Sequence, residues 1–229
     1  MQHQWFGADA SVVQAMINGT YKDPVTNVRL PSVTTTLPDG RIINEDPYSK
    51  LYAGGILRLS GQFEDGMADV MTTLLLNHEA TSKNDAQMYI NSPGGVVTSG
   101  LGIIDTMNYI KNDVSTIVVG QAASMGAATL VAGAPGKRFA LPNARIMVHQ
   151  IRGGSQGTLD DMEIQIEEAR QLNEILFDLF VERTGQSRDT VKDWFRKDTF
   201  FRPSEAVKAG IIDKVITPNQ LQAMQAGDS

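Results

Sequence analysis

The sequence predicts an α/β fold with a largely parallel sheet. Short apolar segments rich in β-branched residues alternate with longer segments whose apolar residues recur every three or four positions. Such alternation is typical of repeated βαβ units, in which a helix connects each strand to a parallel neighbour. No internal sequence repeat accompanies the alternation, so a solenoid is not expected.

The predicted units begin with a strand at Ile56–Leu59, which a helix follows. The apolar residues of that helix have the i, i+3, i+4, i+7, i+8 spacing of a core-facing stripe: Met67, Val70, Met71, Leu74 and Leu75. The unit then repeats twice, through a strand at Gln87–Ile90, a helix at Val97–Ile110, a strand at Thr116–Val119 and a helix at Met125–Ala134.

The longest helical pattern runs from Thr158 to Arg183. Asp160, Asp161 and Glu163 are assigned to its first turn and Gly185 follows its end, so both termini carry residues that favour a helix end. The pattern predicts one long amphipathic helix.

Residues 1 to about 50 differ in composition from the rest of the chain. Four of the nine prolines lie there, and Pro38-Asp39-Gly40 is a turn signal. This composition predicts an extended, loop-rich segment. The sequence leaves open whether it is a propeptide, an extension or an added strand.

Composition and charge exclude several classes of protein. A chain of 229 residues with 41% hydrophobic residues is long enough for one domain with a sizeable core, and no apolar run approaches membrane-spanning length. The chain has no cysteine, which excludes disulfides and a cysteine nucleophile, and its three scattered histidines do not favour a metal site. A net charge of −6 without a basic block does not favour nucleic acid as a binding partner. The first residues resemble neither a signal peptide nor a transit peptide.

Ser124 is the candidate nucleophile. It lies between the predicted strand at Thr116–Val119 and the helix at Met125–Ala134, among glycines and alanines that allow close packing around a sharp turn. At the helix N-terminus, backbone N–H groups favour a developing negative charge. The alternative is an N-cap serine before an Ala-rich core helix.

His149 is the candidate base. It ends the short apolar strand Arg145–His149, whereas His3 lies in the terminus and His78 at a polar helix end. A serine hydroxyl needs such a base within hydrogen-bond reach. A histidine at a strand end is by itself more often structural. The catalytic interpretation of Ser124 and that of His149 support each other only when the two are considered together.

Ser92–Gly95 is the candidate oxyanion-binding segment. It lies between an apolar strand and a helical pattern, and its two glycines expose backbone N–H groups with no Cβ in the way. The alternative is an ordinary turn between a strand and a helix.

These motifs resemble the ClpP family, the proteolytic subunits of the Clp protease. The resemblance runs from about Asp46 to Ile216. It is carried by Tyr89–Gly95 (YINSPGG), Gly120–Gly126 (GQAASMG), Gly136–Ala144 (GKRFALPNA), Met147–Gln150 (MVHQ), Gly153–Gly157 (GGSQG), Arg183–Ser187 (RTGQS) and Glu205–Asp213 (EAVKAGIID).

The resemblance implies a catalytic triad of Ser124, His149 and Asp198. The residues alone do not separate Asp198 from Asp189 or Asp193, because it lies in a mixed charge run. The register between the flanking family motifs selects it. The chain order Ser, His, Asp differs from that of α/β-hydrolases and of the trypsin-like and subtilisin-like enzymes.

The resemblance also implies the surroundings of the triad. The backbone N–H groups of Gly95 and Met125 are the expected oxyanion donors. The segment of Gly153, Gly154, Ser155, Gln156 and Gly157 is expected to lead into a strand that pairs with the substrate backbone, which gives little side-chain selectivity.

The resemblance implies three regions. Residues 1–45 would be an N-terminal extension and axial-loop region, or a propeptide, and residues 217–229 a C-terminal tail. Residues 46–216 would be the protease domain, with ClpP/crotonase-like stacked units as the head and a protruding handle helix within about 150–183.

The expected assembly is a homo-oligomer of two stacked heptameric rings in the cytoplasm, with the handle between the rings. An AAA+ unfoldase of the ClpX, ClpA or ClpC type would supply unfolded polypeptides. ATP would be used by that partner, and this chain would need no cofactor or metal.

Two departures from the family pattern concern partners. Arg196-Lys197 stands where the family commonly has an Asp-Arg pair that joins the rings, and a like-charged pair cannot form that bridge with its symmetry mate. Gln87 replaces an aromatic residue that often helps to line the cleft for the unfoldase, although Tyr89 is kept.

The sequence thus predicts a serine endopeptidase subunit that cuts unfolded chains into short peptides. Two other classes remain open. One is a structural, non-catalytic ring subunit, which the intact triad residues argue against but the changed ring-contact residues keep open. The other is a crotonase-like acyl-CoA enzyme, which shares the fold and would not need a Ser-His-Asp set.

Overall fold

The computed structural model describes residues 33–36 and 39–217. They fall into two compact units, divided between Ile56 and Leu57. The predictions for an axial loop or propeptide before residue 33, and for all but the first residue of the tail at 217–229, lie outside the described residues.

The first unit contains a hairpin and a short helix. Strands β1 (Val33–Thr36) and β2 (Ile42–Glu45) are antiparallel. Asp39 and Gly40 of the predicted turn lie between them, with Gly40 at a φ of +83°. Helix α1 (Pro47–Ala53) follows, and the side chain of its N-cap Asp46 accepts a hydrogen bond from the Ser49 backbone N–H at 2.9 Å. Part of the segment predicted to be loop-rich is therefore a regular hairpin.

The remaining elements mostly alternate between strands and helices. They are β3 (Ile56–Phe63), α2 (Asp65–Thr81), β4 (Ala86–Gly95), α3 (Val97–Tyr109), β5 (Val114–Ala123), α4 (Met125–Val131), β6 (Arg138–Ala140), β7 (Arg145–Val148), α5 (Leu159–Thr184), α6 (Arg188–Phe195), β8 (Thr199–Phe201), α7 (Pro203–Lys208) and β9 (Lys214–Val215).

These strands form one seven-stranded sheet. Strands β3, β4, β5, β6 and β9 are neighbours in that order, β7 pairs with β5, and β8 pairs with β7. The pairs β4/β5, β5/β6, β5/β7 and β6/β9 are parallel, whereas β7/β8 is antiparallel. The prediction of an α/β fold with a largely parallel sheet is confirmed.

The core lies around β4, β5 and α4. All seven residues of α4 are buried, and β5 is buried over its first five residues. Removing a Leu, Ile or Val side chain of this kind from water stabilises a fold by about 1.5–3 kcal/mol. Helix α4 ends at Val131, three residues earlier than predicted, because Gly133 and Pro135 follow and proline cannot continue a helix.

The buried face of α2 is narrower than its apolar stripe. Met71 and Leu75 are buried as predicted, but Val70 is 55% exposed, and that part of the prediction is wrong. His78 completes the buried face at the i+7 position from Met71, and its Nε2 lies 2.9 Å from the Asn84 carbonyl oxygen. The helix end that looked polar in the sequence is therefore packed.

Helix α5 has 26 residues and is bounded as the sequence predicts. Thr158 and Asp161 form a capping box, in which the Asp161 N–H donates to the Thr158 hydroxyl and the Thr158 N–H donates to the Asp161 carboxylate. Gly185 ends the helix in the left-handed conformation, at a φ of +69°. Among the helices of the described residues, none has the length and apolar character to cross a membrane.

A partly buried ion pair ties β6 to the residue before β9. Arg138 Nη2 donates to Asp213 Oδ1 at 2.7 Å, and the Arg138 backbone N–H and Nε donate to Oδ2 at 2.9 and 3.0 Å. Burial raises the pKa of the Asp213 carboxyl, but the hydrogen bonds and charge of Arg138 outweigh burial and hold that pKa below its usual value. Arg138 Nη1 also donates to the Arg183 carbonyl near the end of α5.

Candidate active site

Ser124 occupies a sharp turn between β5 and α4. Its φ of 54° and ψ of −120° make it the one non-glycine residue with a positive φ in the described part of the chain. Such a conformation costs about 1–3 kcal/mol and persists only where the surroundings enforce it. Its N–H donates to the Met147 carbonyl on β7 at 2.9 Å, and its side chain makes no capping hydrogen bond. The turn therefore does not use the hydroxyl as an N-cap.

Glycine is required at position 94 because Ser124 packs against it. A Cβ atom on Gly94 would lie 2.6 Å from the Ser124 Cβ, 2.9 Å from the Ala123 carbonyl oxygen and 3.1 Å from the Ser124 Oγ. Gly126 packs in a similar way, because its Cβ would lie 3.1 Å from the Ser92 carbonyl oxygen. The sequence indicated close packing here, but it did not indicate that Gly94 contacts Ser124.

The pairing of β7 with β8 brings His149 beside Asp198. The antiparallel register places Val148 opposite Thr199, so the next residues along the two strands face each other. His149 Nδ1 lies 3.2 Å from Asp198 Oδ1. The imidazole is 12% exposed and the carboxylate 38%. Asp193, an alternative in the sequence, forms an ion pair with Arg196 instead, at 3.6 Å.

Arg152 is a second partner of the Asp198 carboxylate that the sequence did not indicate. Its Nη2 donates to Oδ1, the same oxygen that faces His149. The pair is exposed, with 65% of the Arg152 side chain accessible to solvent. The only signal in the sequence is a basic residue three positions after His149.

Ser124 and His149 line one cavity of about 230 Å³. The other lining residues are Pro93, Gly95, Val97, Met125, Ala128, Val148, Ile151, Arg152, Leu176, Phe180 and Phe195. Within the described residues no hydrogen bond joins the Ser124 hydroxyl to His149. Nucleophile and base thus share one cavity, and a catalytic hydrogen bond is often loose before substrate binds.

Both predicted oxyanion donors, Gly95 and Met125, line the same cavity as Ser124. The segment before Gly95 belongs to β4, which runs to Gly95, and is not a separate turn between a strand and a helix. The Val96 N–H donates to the Phe63 carbonyl at 2.8 Å, and the Ser92 hydroxyl donates to the Gly61 carbonyl at 2.6 Å. Both bonds hold the segment against β3. The donor role itself stays a prediction.

The segment Gly153–Gly157 forms no strand of its own. Within the described residues, the backbone groups of Gly153, Gly154 and Ser155 make no hydrogen bond, whereas the Gln156 carbonyl accepts one from the Gln165 side chain at 3.2 Å. The segment borders a groove of about 360 Å³ beside α5. An exposed backbone with unused donors and acceptors is available to an added strand, and pairing with a substrate stays a prediction.

The two departures from the family pattern have internal contacts. Arg196 is exposed at the end of α6, and its partner there is Asp193. Gln87 is exposed on β4, and its Oε1 accepts a hydrogen bond from the Tyr89 hydroxyl at 3.4 Å.

A comparison with models of protein families matches residues 40–219 to the family described as Clp protease. The match covers most of the 229 residues and includes each of the predicted site residues.

Proposed function

The chain belongs to the Clp protease family, and we propose that it is a serine endopeptidase subunit of such a protease. The family consists of peptidases that form oligomeric cores and work with Clp ATPases. The observation that carries the proposal is the geometry of Ser124. A strained turn holds this serine at the wall of a cavity that it shares with His149, which is paired with Asp198.

The proposed reaction proceeds through an acyl-enzyme. The Ser124 oxygen attacks the peptide carbonyl while His149 Nε2 takes the hydroxyl proton, and Asp198 holds Nδ1 of the same ring. The N–H groups of Gly95 and Met125 would stabilise the oxyanion. His149 then gives its proton to the leaving amine. Water attacks the acyl group, His149 takes a proton from that water, and the carboxylic acid leaves as the serine recovers its proton.

The proposed substrates are unfolded polypeptides, which are released as short peptides. The unpaired backbone of Gly153, Gly154 and Ser155 supports this class, because an extended chain could add to it through main-chain hydrogen bonds. Folded proteins would need a separate AAA+ unfoldase, and that partner would consume the ATP. We propose the cytoplasm as the place of action.

The proposed assembly consists of two stacked heptameric rings. Its support is the surface of α5, which carries four large exposed apolar residues: Leu159, Ile164, Ile166 and Ile175. Exposed apolar side chains along one long helix favour contact with another protein surface. Arg196-Lys197 would not supply a ring-to-ring ion pair, so the apolar residues of α5 would dominate the contact.

A non-catalytic ring subunit is the second candidate function. Its support is the replacement of the expected acidic-basic pair by Arg196-Lys197, together with the unformed hydrogen bond between Ser124 and His149. An acyl-CoA enzyme of the crotonase type is the third candidate, and hydrolysis or isomerisation of an acyl-CoA thioester would identify it.

Hydrolysis of fluorogenic peptides without ATP tests the proposal. The protein should cut short peptides alone, Ser124→Ala should abolish cleavage, and Ser204→Ala on the exposed side of α7 should cut at the rate of the unaltered protein. A folded protein substrate should be degraded only when an unfoldase and ATP are added. Equal degradation of the folded substrate without a partner would contradict the proposal.

A further inference from the structure

Arg152 lines the cavity of Ser124 and His149 but has no role in the proposed triad chemistry. It follows His149 by three residues, in the irregular segment that leads to α5, and it lines the cavity that contains Ser124 and His149. Its side chain is 65% exposed, so solvent and a bound peptide can both reach the guanidinium.

Arg152 lines the cavity, whereas the carboxylate that pairs with it does not. None of the cavity-lining residues, all within the described part of the chain, is Asp or Glu, and Arg152 is the only one with a permanent charge. Asp198, its ion-pair partner, is not one of the lining residues. A peptide in the cavity can therefore contact the guanidinium directly, whereas the carboxylate paired with it does not line the cavity.

Some N–H donors of the Arg152 guanidinium are not used in hydrogen bonds. Asp198 Oδ1 accepts from Nη2, whereas Nε and Nη1 donate no hydrogen bond within the described residues. A guanidinium offers five N–H donors in a planar fork that matches a carboxylate, so Arg152 can hold Asp198 and a second carboxylate together. Apart from Ser124, His149 and Arg152, the residues that line the cavity are apolar, which favours an uncharged substrate side chain elsewhere in the site.

We propose that Arg152 makes the enzyme select an acidic residue within two positions of the scissile bond. This inference rests on the proposed peptidase function. The carboxylate of a substrate Glu or Asp binds the free donors of Arg152, and the neutral amide of Gln or Asn binds them less well because it lacks the charge. The selectivity arises in binding, so it lowers KM and leaves kcat nearly unchanged.

Paired peptides test the proposal on the full-length protein. Internally quenched nonapeptides with one central leucine carry glutamate or glutamine at one position at a time, and the cleaved bond is identified by mass spectrometry. For at least one position within two residues of the cut, kcat/KM should be about fivefold to tenfold higher for glutamate. The preference should weaken at about 1 M salt, where the Debye length falls to about 3 Å.

Three variants separate the charge of Arg152 from other effects. Arg152→Gln should remove the preference for glutamate, and Arg152→Lys should keep part of it. Arg145→Gln removes the same charge at the far end of β7, where Arg145 contacts the ring of Phe200. This variant should keep the full preference for glutamate.

The outcomes distinguish this inference from the function on which it rests. Cleavage of the glutamate and glutamine peptides at equal rates, or a preference that survives Arg152→Gln, would overturn the role of Arg152 alone. Failure of the unaltered protein to cut any peptide would overturn the proposed function and this inference with it.

Discussion

Replacing Gly94 with alanine should inactivate the enzyme by displacing Ser124. The added Cβ would lie 2.6 Å from the Ser124 Cβ, whereas two carbon atoms in contact sit about 3.5–4.0 Å apart. The serine or the neighbouring strand must therefore move by about 1 Å. A displacement of that size at a reacting group costs about a hundredfold in rate. We expect kcat/KM for a fluorogenic peptide to fall by about that factor.

Gly136→Ala is the matched control, because it separates backbone strain from contact with the serine. Gly94 and Gly136 both have a positive φ, of +97° and +81°, but a Cβ on Gly136 would meet no atom within 4 Å. Strain of this kind costs about 1–3 kcal/mol at either position, and each kcal/mol lowers the Tm of a chain of this size by about 2–4 °C.

Both alanine variants should therefore melt at a lower temperature, as measured by differential scanning calorimetry. Only the Gly94 variant should lose activity. The reasoning would be refuted if the Gly94→Ala variant cut peptides as fast as the Gly136→Ala variant.

Three further predictions concern the triad carboxylate, the Arg138 ion pair and the helix cap. Asp198→Asn should lower kcat by about 10⁴-fold, the loss typical when a triad carboxylate becomes an amide, whereas Asp193→Asn should leave peptide hydrolysis within about twofold. Because the pKa of Asp213 is lower in the folded state, its contribution to stability is present above the unfolded value of 3.8 and is lost as the pH falls through the folded pKa. Asp213→Asn should therefore reduce the free energy of unfolding at pH 7 and flatten its decline below about pH 4, measured by urea titration; an unchanged decline would contradict the prediction. Thr158→Ala removes the hydroxyl of the capping box and should cost about 1 kcal/mol of unfolding free energy in the same assay, and a cost near zero would contradict it.

The sequence was most informative where local chemistry determines the structure. The end of α5 follows from Gly185, and its start from the acidic residues that follow Thr158. The position of Ser124 at the entry to α4 follows from the small residues that surround it. In both cases the signal lies within a few residues of the feature that it predicts.

The pairing of strands that are distant in sequence could not be predicted from local patterns. His149 and Asp198 meet because β7 pairs antiparallel with β8, but these strands have only four and three residues. Strands that short show too little alternation to predict a partner or a register. Asp198 was therefore selected by resemblance to the family and not by the residues themselves.

Side-chain contacts in irregular segments also could not be predicted from the sequence. Arg152 reaches Asp198 from a segment without regular structure, where no periodicity predicts the direction of a side chain. For Val70 the sequence predicted a buried side chain that the structure does not have. Its apolar character suggested burial, yet single exposed apolar residues are common on protein surfaces.

Reaction with a fluorophosphonate tests most directly whether Ser124 is an activated nucleophile. The unaltered protein and a Ser124→Ala variant would be incubated with the reagent, their intact masses compared, and the labelled peptide mapped. The account predicts one adduct per chain, on Ser124, and none on the variant. Absence of an adduct on the assembled protein, or an adduct that persists in the variant, would contradict it.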